Sequence, residues 1–149
     1  MNVLIVYSTN SGSTGAAAEV VASALKEKAH TVTAKQAFEA TADELATYDL
    51  IIFGSPSWDY KGKEGQPHEE MTKLLSQLDA SLSGKKYALF GLGDTSYSHF
   101  CGANEIIESV LVTKGLVKAA DSLKIDRYYS QAGGPEKVKT WAEQLASTL

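Results

Sequence analysis

Cysteine is almost missing from this sequence: Cys101 is the only one in 149 residues. An internal disulfide is therefore excluded, and so is any zinc or iron–sulfur site built on clustered cysteines, so redox chemistry has to come from a bound cofactor. No apolar run approaches the roughly 20 residues that a membrane-spanning helix needs. The opening Met1-Asn2-Val3-Leu4-Ile5-Val6 lacks a basic leader and passes straight into a strand-like run, so a cytoplasmic protein with no membrane partner is expected. There is no basic stripe, and the net charge is −4. That balance argues against nucleic acid, which requires neutralised phosphates, and it suits a basic protein partner. Repeats, low-complexity tracts and linkers are missing too, as are the Gly-x-Ser-x-Gly elbow of a hydrolase and the Gly-Lys-Ser/Thr ending of a P-loop. His30, His68 and His99 are scattered and are expected at the surface.

What remains has the make-up of an ordinary globular chain, 44% hydrophobic and 21% charged, and its length suits one domain over 1–149. Apolar runs alternate with amphipathic stretches, the order of stacked βαβ units on a parallel sheet. Val3–Tyr7, Leu50–Gly54 and Tyr87–Gly91 are nearly all apolar, as strands covered on both faces are. His30–Ala34 and Ser122–Asp126 alternate more and are expected near the edges. Four helical faces lie between these strands. They are Ala17, Val20, Val21, Ala24 and Leu25; Met71, Leu74, Leu75 and Leu78; Ile106, Ile107, Val110 and Leu111; and Val138, Trp141, Ala142 and Leu145, the last opened by Pro135. Thr41 and Glu44 suggest a capping box on one short extra turn. Five strands with right-handed crossovers give a doubly wound five-stranded parallel α/β sheet with helices on both faces, its ligand beyond the carboxyl ends of the strands.

Three loops should meet there. The first, Tyr7-Ser8-Thr9-Asn10-Ser11-Gly12-Ser13-Thr14-Gly15, is rich in hydroxyls and amides and holds no Lys or Arg. It opens a helix whose free N–H groups and positive dipole end suit a phosphate. A Ser/Thr-rich capped turn is the plain alternative, and the position at the first crossover favours phosphate. The second loop, Gly54-Ser55-Pro56-Ser57-Trp58-Asp59-Tyr60, sets a tryptophan just beyond a buried strand, where it either stacks on a planar ligand or covers the edge of the core. The third runs from Gly91 to Gly102 and offers Tyr97 as a second aromatic plate and Asp94 as an acceptor for a ring N–H.

Together these loops resemble the flavodoxin family over nearly the whole chain. Thr9, Asn10, Ser11, Gly12, Ser13 and Thr14 meet the family's phosphate motif, Ser/Thr-x-Ser/Thr-Gly-x-Thr. Trp58 stands in the Gly-Ser-x-x-Trp context, and Phe90 to Ala103 reads Phe-Gly-x-Gly-Asp-x-x-Tyr-x-x-Phe-Cys-Gly-Ala. The resemblance implies a flavodoxin-like sheet order of 2-1-3-4-5 and noncovalently held flavin mononucleotide (FMN). It also implies a monomeric, low-potential one-electron carrier working between a reductase and acceptor redox enzymes that dock at the exposed flavin edge, and no catalytic residues. Trp58 and Tyr97 would flank the ring, with Asp94 near its pyrimidine edge. Ser55, Pro56, Ser57, Asp59, Tyr60, Gly91, Leu92, Gly93, Phe100 and Cys101 would complete the site. Leu116 to Asp126 lacks the insertion of the long-chain subgroup, so the likeness is to short-chain flavodoxins.

Three residues depart from the family pattern: Asp59 follows the tryptophan where Gly or Asn is common, and Lys61 and Lys63 replace acidic neighbours. An FMN-dependent quinone or flavin reductase on the same fold is the alternative reading, though it needs room over the ring that Tyr97 would fill. A response-regulator receiver shares the strand order but requires acidic residues where this chain has Ser8, Thr9 and Gly54.

Overall fold

A computed structural model describes residues 1–9, 12–60, 63–93, 101–126 and 133–149, with backbone alone at 58–60, 63–66 and 126. Strand β1 (Asn2–Tyr7) leads into helix α1 (Ser13–Glu27), then β2 (Thr31–Gln36), the short α2 (Ala42–Leu45) and β3 (Leu50–Pro56). A hairpin of β4 (Trp58–Tyr60) and β5 (Lys63–Gln66) precedes α3 (Glu69–Ser76) and β6 (Lys86–Gly93). The chain continues through α4 (Gly102–Thr113), β7 (Val117–Lys118), β8 (Leu123–Asp126) and α5 (Gly134–Ser147). The main sheet is parallel in the order β2-β1-β3-β6-β7, with β8 also on β6. β7 pairs with the start of β6 and β8 with its end, so the two are halves of one interrupted fifth strand. Counted that way, the observed order is the expected 2-1-3-4-5.

Both faces of the sheet are buried because the apolar strands send alternate residues to opposite sides. Val3, Ile5, Leu50, Ile52, Ala88 and Phe90 pack with Ala17, Val21 and Leu25 of α1 and Val138, Trp141 and Leu145 of α5. Leu4, Val6, Ile51, Phe53, Tyr87 and Leu89 pack with Met71, Leu74 and Leu75 of α3 and Ile107 and Leu111 of α4. The edge placement of β2 and the helical faces follow the sequence pattern, with two local corrections. Ile106, expected on the inner face of α4, is 37% exposed, since it lies one residue, about 100° of turn, from buried Ile107. Thr41 caps α2 by accepting from the Glu44 N–H at 3.2 Å, but the Glu44 carboxylate pairs with Lys35 Nζ and does not close the box. No described helix is long and apolar enough to cross a membrane.

Candidate functional site

The carboxyl ends of β1, β3 and β6 lie side by side, with Tyr7 opposite Gly54 and Gly54 opposite Phe90. Ladder register therefore brings the three loops together. The Ser8 N–H donates to the Gly54 carbonyl at 3.0 Å, which ties the first loop to the second. Thr9 Oγ1 accepts the Gly12 N–H at 2.8 Å, closing a tight turn. Gly12 takes φ 95°, the left-handed region that side chains resist. Helix α1 then starts with no side-chain cap and no acidic residue in its first turn. The first-turn N–H groups have no partner within the helix, and the dipole adds partial positive charge, so this end favours an anion. Thr14 is buried in that turn, and Ser8 is 2% exposed with no hydrogen-bond partner for its Oγ. Asn10 and Ser11 lie outside the described residues.

The second loop is held by its own polar groups. A Cβ at Gly54 would meet the Phe90 ring at 2.2 Å, so only glycine lets the ring lie across β3 there. Ser55 is fully buried. Its hydroxyl donates to the Pro56 carbonyl at 2.9 Å and accepts the His68 N–H at 3.2 Å. The Ser55 hydroxyl is thus used within the protein. Pro56 pairs with Leu92, and the Ser57 N–H donates to the Leu92 carbonyl at 2.9 Å. Trp58, Asp59 and Tyr60 form β4, Trp58 opposite Gln66 and Tyr60 opposite Lys63, with a register shift between. Their side chains and that of Lys63 lie outside the described atoms, as does Lys61.

At the third loop, Gly91 lies against Asn104, whose Oδ1 a Cβ at Gly91 would approach to 2.1 Å. Leu92 is buried and Gly93 ends β6. Asp94, Tyr97, His99 and Phe100 lie outside the described residues. Cys101 is fully buried at φ 50°, its thiol directed to the carbonyls of Gly91 at 3.5 Å and Ile125 at 3.9 Å.

Three residues at this end were not picked out by sequence reasoning. Ser8, in the hydroxyl-rich first loop but outside the motif that begins at Thr9, has a buried Oγ without a partner and lines a cavity of about 240 Å³ with Tyr7, Thr9 and His68. His68, expected at the surface, is half-buried and caps α3, its Nδ1 accepting the Glu70 N–H at 3.1 Å. The available signal was its place before Glu69-Glu70 and an apolar helical face. Asn104 is buried, and its Nδ2 donates to the Leu123 carbonyl at 3.0 Å. Among the described residues, no group of three His, Cys, Asp or Glu side chains could hold a metal ion.

An uncapped helix start, a left-handed glycine and a buried hydroxyl without a partner fit a phosphoryl group, and the adjoining strand ends leave the next two loops beside it. Comparison with known proteins points the same way. Residues 5–141 match the family described as Flavodoxin. The chain is 37% identical over 150 aligned residues to a flavodoxin of Maridesulfovibrio salexigens, covering 98% of this chain and 97% of that protein. It is 36% identical over 154 residues to one of Nitratidesulfovibrio vulgaris, covering 99% of each. The crystal structure of oxidised Flavodoxin 2 from Bacillus cereus superimposes with a TM-score of 0.86 at 34% identity, covering both chains completely.

Proposed function

Since this chain belongs to the flavodoxin family, whose members are FMN-binding electron carriers and not enzymes, we propose that the three loops at the carboxyl ends of β1, β3 and β6 hold the cofactor. Thr9, Asn10, Ser11, Gly12, Ser13 and Thr14 take its phosphate. The segments Ser55 to Tyr60 and Gly91 to Asp94, with Tyr97, Phe100 and Cys101, take its ring. The observation that carries this reading is the start of α1, with no capping side chain, no acidic residue in the first turn and Gly12 at φ 95°. Bound FMN supplies two successive one-electron steps, and each tenfold preference of the protein for one redox state moves a potential by about 59 mV. The chain's own residues bind, orient and shield. Main-chain N–H groups at the helix end meet the phosphate charge, and the loop hydroxyls complete its hydrogen bonds without a cation. Where no cation reaches the ring, added negative charge on it is disfavoured and the lower potential stays low; Lys61 and Lys63, next to Trp58 in sequence, are the charges that would raise it.

On this reading residues 1–149 form one domain that works as a monomer in the cytoplasm. It takes electrons from a reductase and passes them to an acceptor enzyme at the exposed flavin edge. The net charge of −4 supports a basic docking surface on those partners. A reductase activity of its own is not favoured by relatives that are named flavodoxins over their full length.

The test is to titrate the apoprotein with FMN and with riboflavin, which lacks the phosphate, following flavin fluorescence. FMN should bind with one-to-one stoichiometry and at least about 100-fold more tightly, some 2.7 kcal/mol. Equal affinity for the two flavins would remove the phosphate from the argument.

A further inference from the structure

Helix α4 begins without a cap of its own. Its N-cap residue, Cys101, sits at φ 50° and makes no side-chain capping hydrogen bond. The Asn104 N–H is met by the Cys101 carbonyl at 3.0 Å, and the other first-turn N–H groups need partners from elsewhere. One of them, on fully buried Ala103, donates to Ser57 Oγ at 2.9 Å across 46 residues of sequence. Ser57 thus does for α4 what an N-cap serine does for its own helix. It is the residue immediately before Trp58, and its N–H is already bound to the Leu92 carbonyl at 2.9 Å. Residue 57 is therefore held through its main chain by β6 and through its side chain by α4, the two elements that flank the third loop. The same turn of α4 carries Asn104, bound to the Leu123 carbonyl and pressed against Gly91. One helical turn so joins the second loop, the end of β6 and β8.

We propose that Ser57 is a positioning residue that caps α4 from the neighbouring loop and thereby fixes the start of the Trp58 turn to the β6–α4 segment, so that the two ring-binding loops behave as one body. This rests on the function proposed above and names the group that sets the spacing between those loops. Without the hydroxyl, the Ala103 N–H loses its acceptor, and residue 57 keeps its main-chain bond to the Leu92 carbonyl.

Three forms of the full chain test this: wild type, Ser57→Ala, which removes the acceptor, and Ser57→Thr, which keeps it. In the apoprotein, S57A should speed amide exchange at Ala103 roughly tenfold, while S57T stays within about twofold of wild type. In the FMN-loaded protein, S57A should weaken FMN binding roughly tenfold. It should also shift the first midpoint potential by roughly a threefold change in relative affinity, about 28 mV. S57T should restore both. If S57A does not fold, Ser57→Cys, with a similar shape but a weak acceptor, replaces it in the same measurements. Unchanged Ala103 exchange in S57A overturns the cap. Faster exchange with wild-type affinity and potential reduces Ser57 to a local structural contact and overturns the proposal. Wild-type protein that takes up no FMN overturns instead the functional reading beneath it.

Discussion

Replacing Gly54 by alanine should be one of the most costly single-methyl additions this chain can receive, and the expected loss can be worked from the β3–β6 ladder. Gly54 and Phe90 are paired, and a Cβ on Gly54 would stand 2.2 Å from Phe90 Cζ and within 2.7 Å of both Cε atoms. Carbon atoms pack at about 3.5–4.0 Å, so the ring has to withdraw by more than about 1 Å. Its retreat is obstructed, because Phe90 is fully buried and meets Trp141 edge-on at 6.1 Å between ring centres. Overpacking costs roughly 1–3 kcal/mol where neighbours can adjust. With the ring confined between α1 and α5, the upper end applies, and about 3 kcal/mol lowers Tm by roughly 6–12 °C in a domain of this size. Phe90→Leu alone should cost less than the roughly 3–5 kcal/mol of a Phe→Ala change. In the double variant the smaller side chain makes room for the methyl, so the combined loss should fall short of the sum by at least about 1 kcal/mol. Urea unfolding of the apoproteins, followed by far-ultraviolet circular dichroism with m-values compared, reads these differences. Losses that add to within about 0.5 kcal/mol would show that the methyl and the ring do not meet, and the reasoning would fail.

Other expectations follow from single residues. Gly12→Ala meets open space, so its loss should come from the backbone alone, roughly 1–2 kcal/mol, with Gly12→Asn milder; thermal unfolding that ranks the two equally would count against strain at φ 95°. Burial, with Glu108 nearby, pushes the Tyr87 hydroxyl up to about 12 from an ordinary value of 10.0. The unfolded chain then ionises first, so this group leaves stability intact below pH 10 and erodes it between pH 10 and about 12. Tyr87→Phe should flatten that alkaline loss in pH-dependent unfolding, and an unchanged slope would refute the assignment. Asp59→Gly frees the peptide after Trp58 to reach positive φ, so redox titration should give a raised first potential, and an unchanged or lowered one would remove the turn from the tuning of the flavin.

Much of this architecture could be read from local pattern because the strands are covered on both sides. Runs such as Leu50 to Gly54 and Tyr87 to Gly91 have no polar face to blur their limits, and the helices announce themselves by the spacing of residues such as Val138, Trp141 and Leu145. The hairpin of Trp58–Tyr60 with Lys63–Gln66 escaped notice for the opposite reason. Lys63-Glu64-Gly65-Gln66 is poor strand material with no apolar alternation, so local propensity gives no sign of its pairing. The interruption between β7 and β8 was equally hidden, since Ala119 to Ser122 carries no strong breaker. At the site, the hydroxyl-rich first loop was legible because its residues are consecutive in the chain. The bond from Ser57 to Ala103 was not, because a cap supplied from 46 residues away leaves no local spacing to detect. The capping role of His68 leaves little local signal because an imidazole rarely caps a helix, and the burial of Ser8 depends on its neighbours in three dimensions.

The interrupted fifth strand gives this protein a natural graft point. Ala119 is fastened by its N–H to the Tyr87 carbonyl at 2.8 Å, and the Asp121 carbonyl is fastened by Trp141 Nε1 at 2.9 Å. The link between these two fastenings is Ala120. A foreign module spliced between Ala119 and Ala120 would leave β7 hooked to the base of β6 and β8 hooked to its tip, well away from the first loop in the ladder. The chain could then carry a reporter or a second domain as cargo on its flank while the carboxyl ends of β1 and β3 keep their shape.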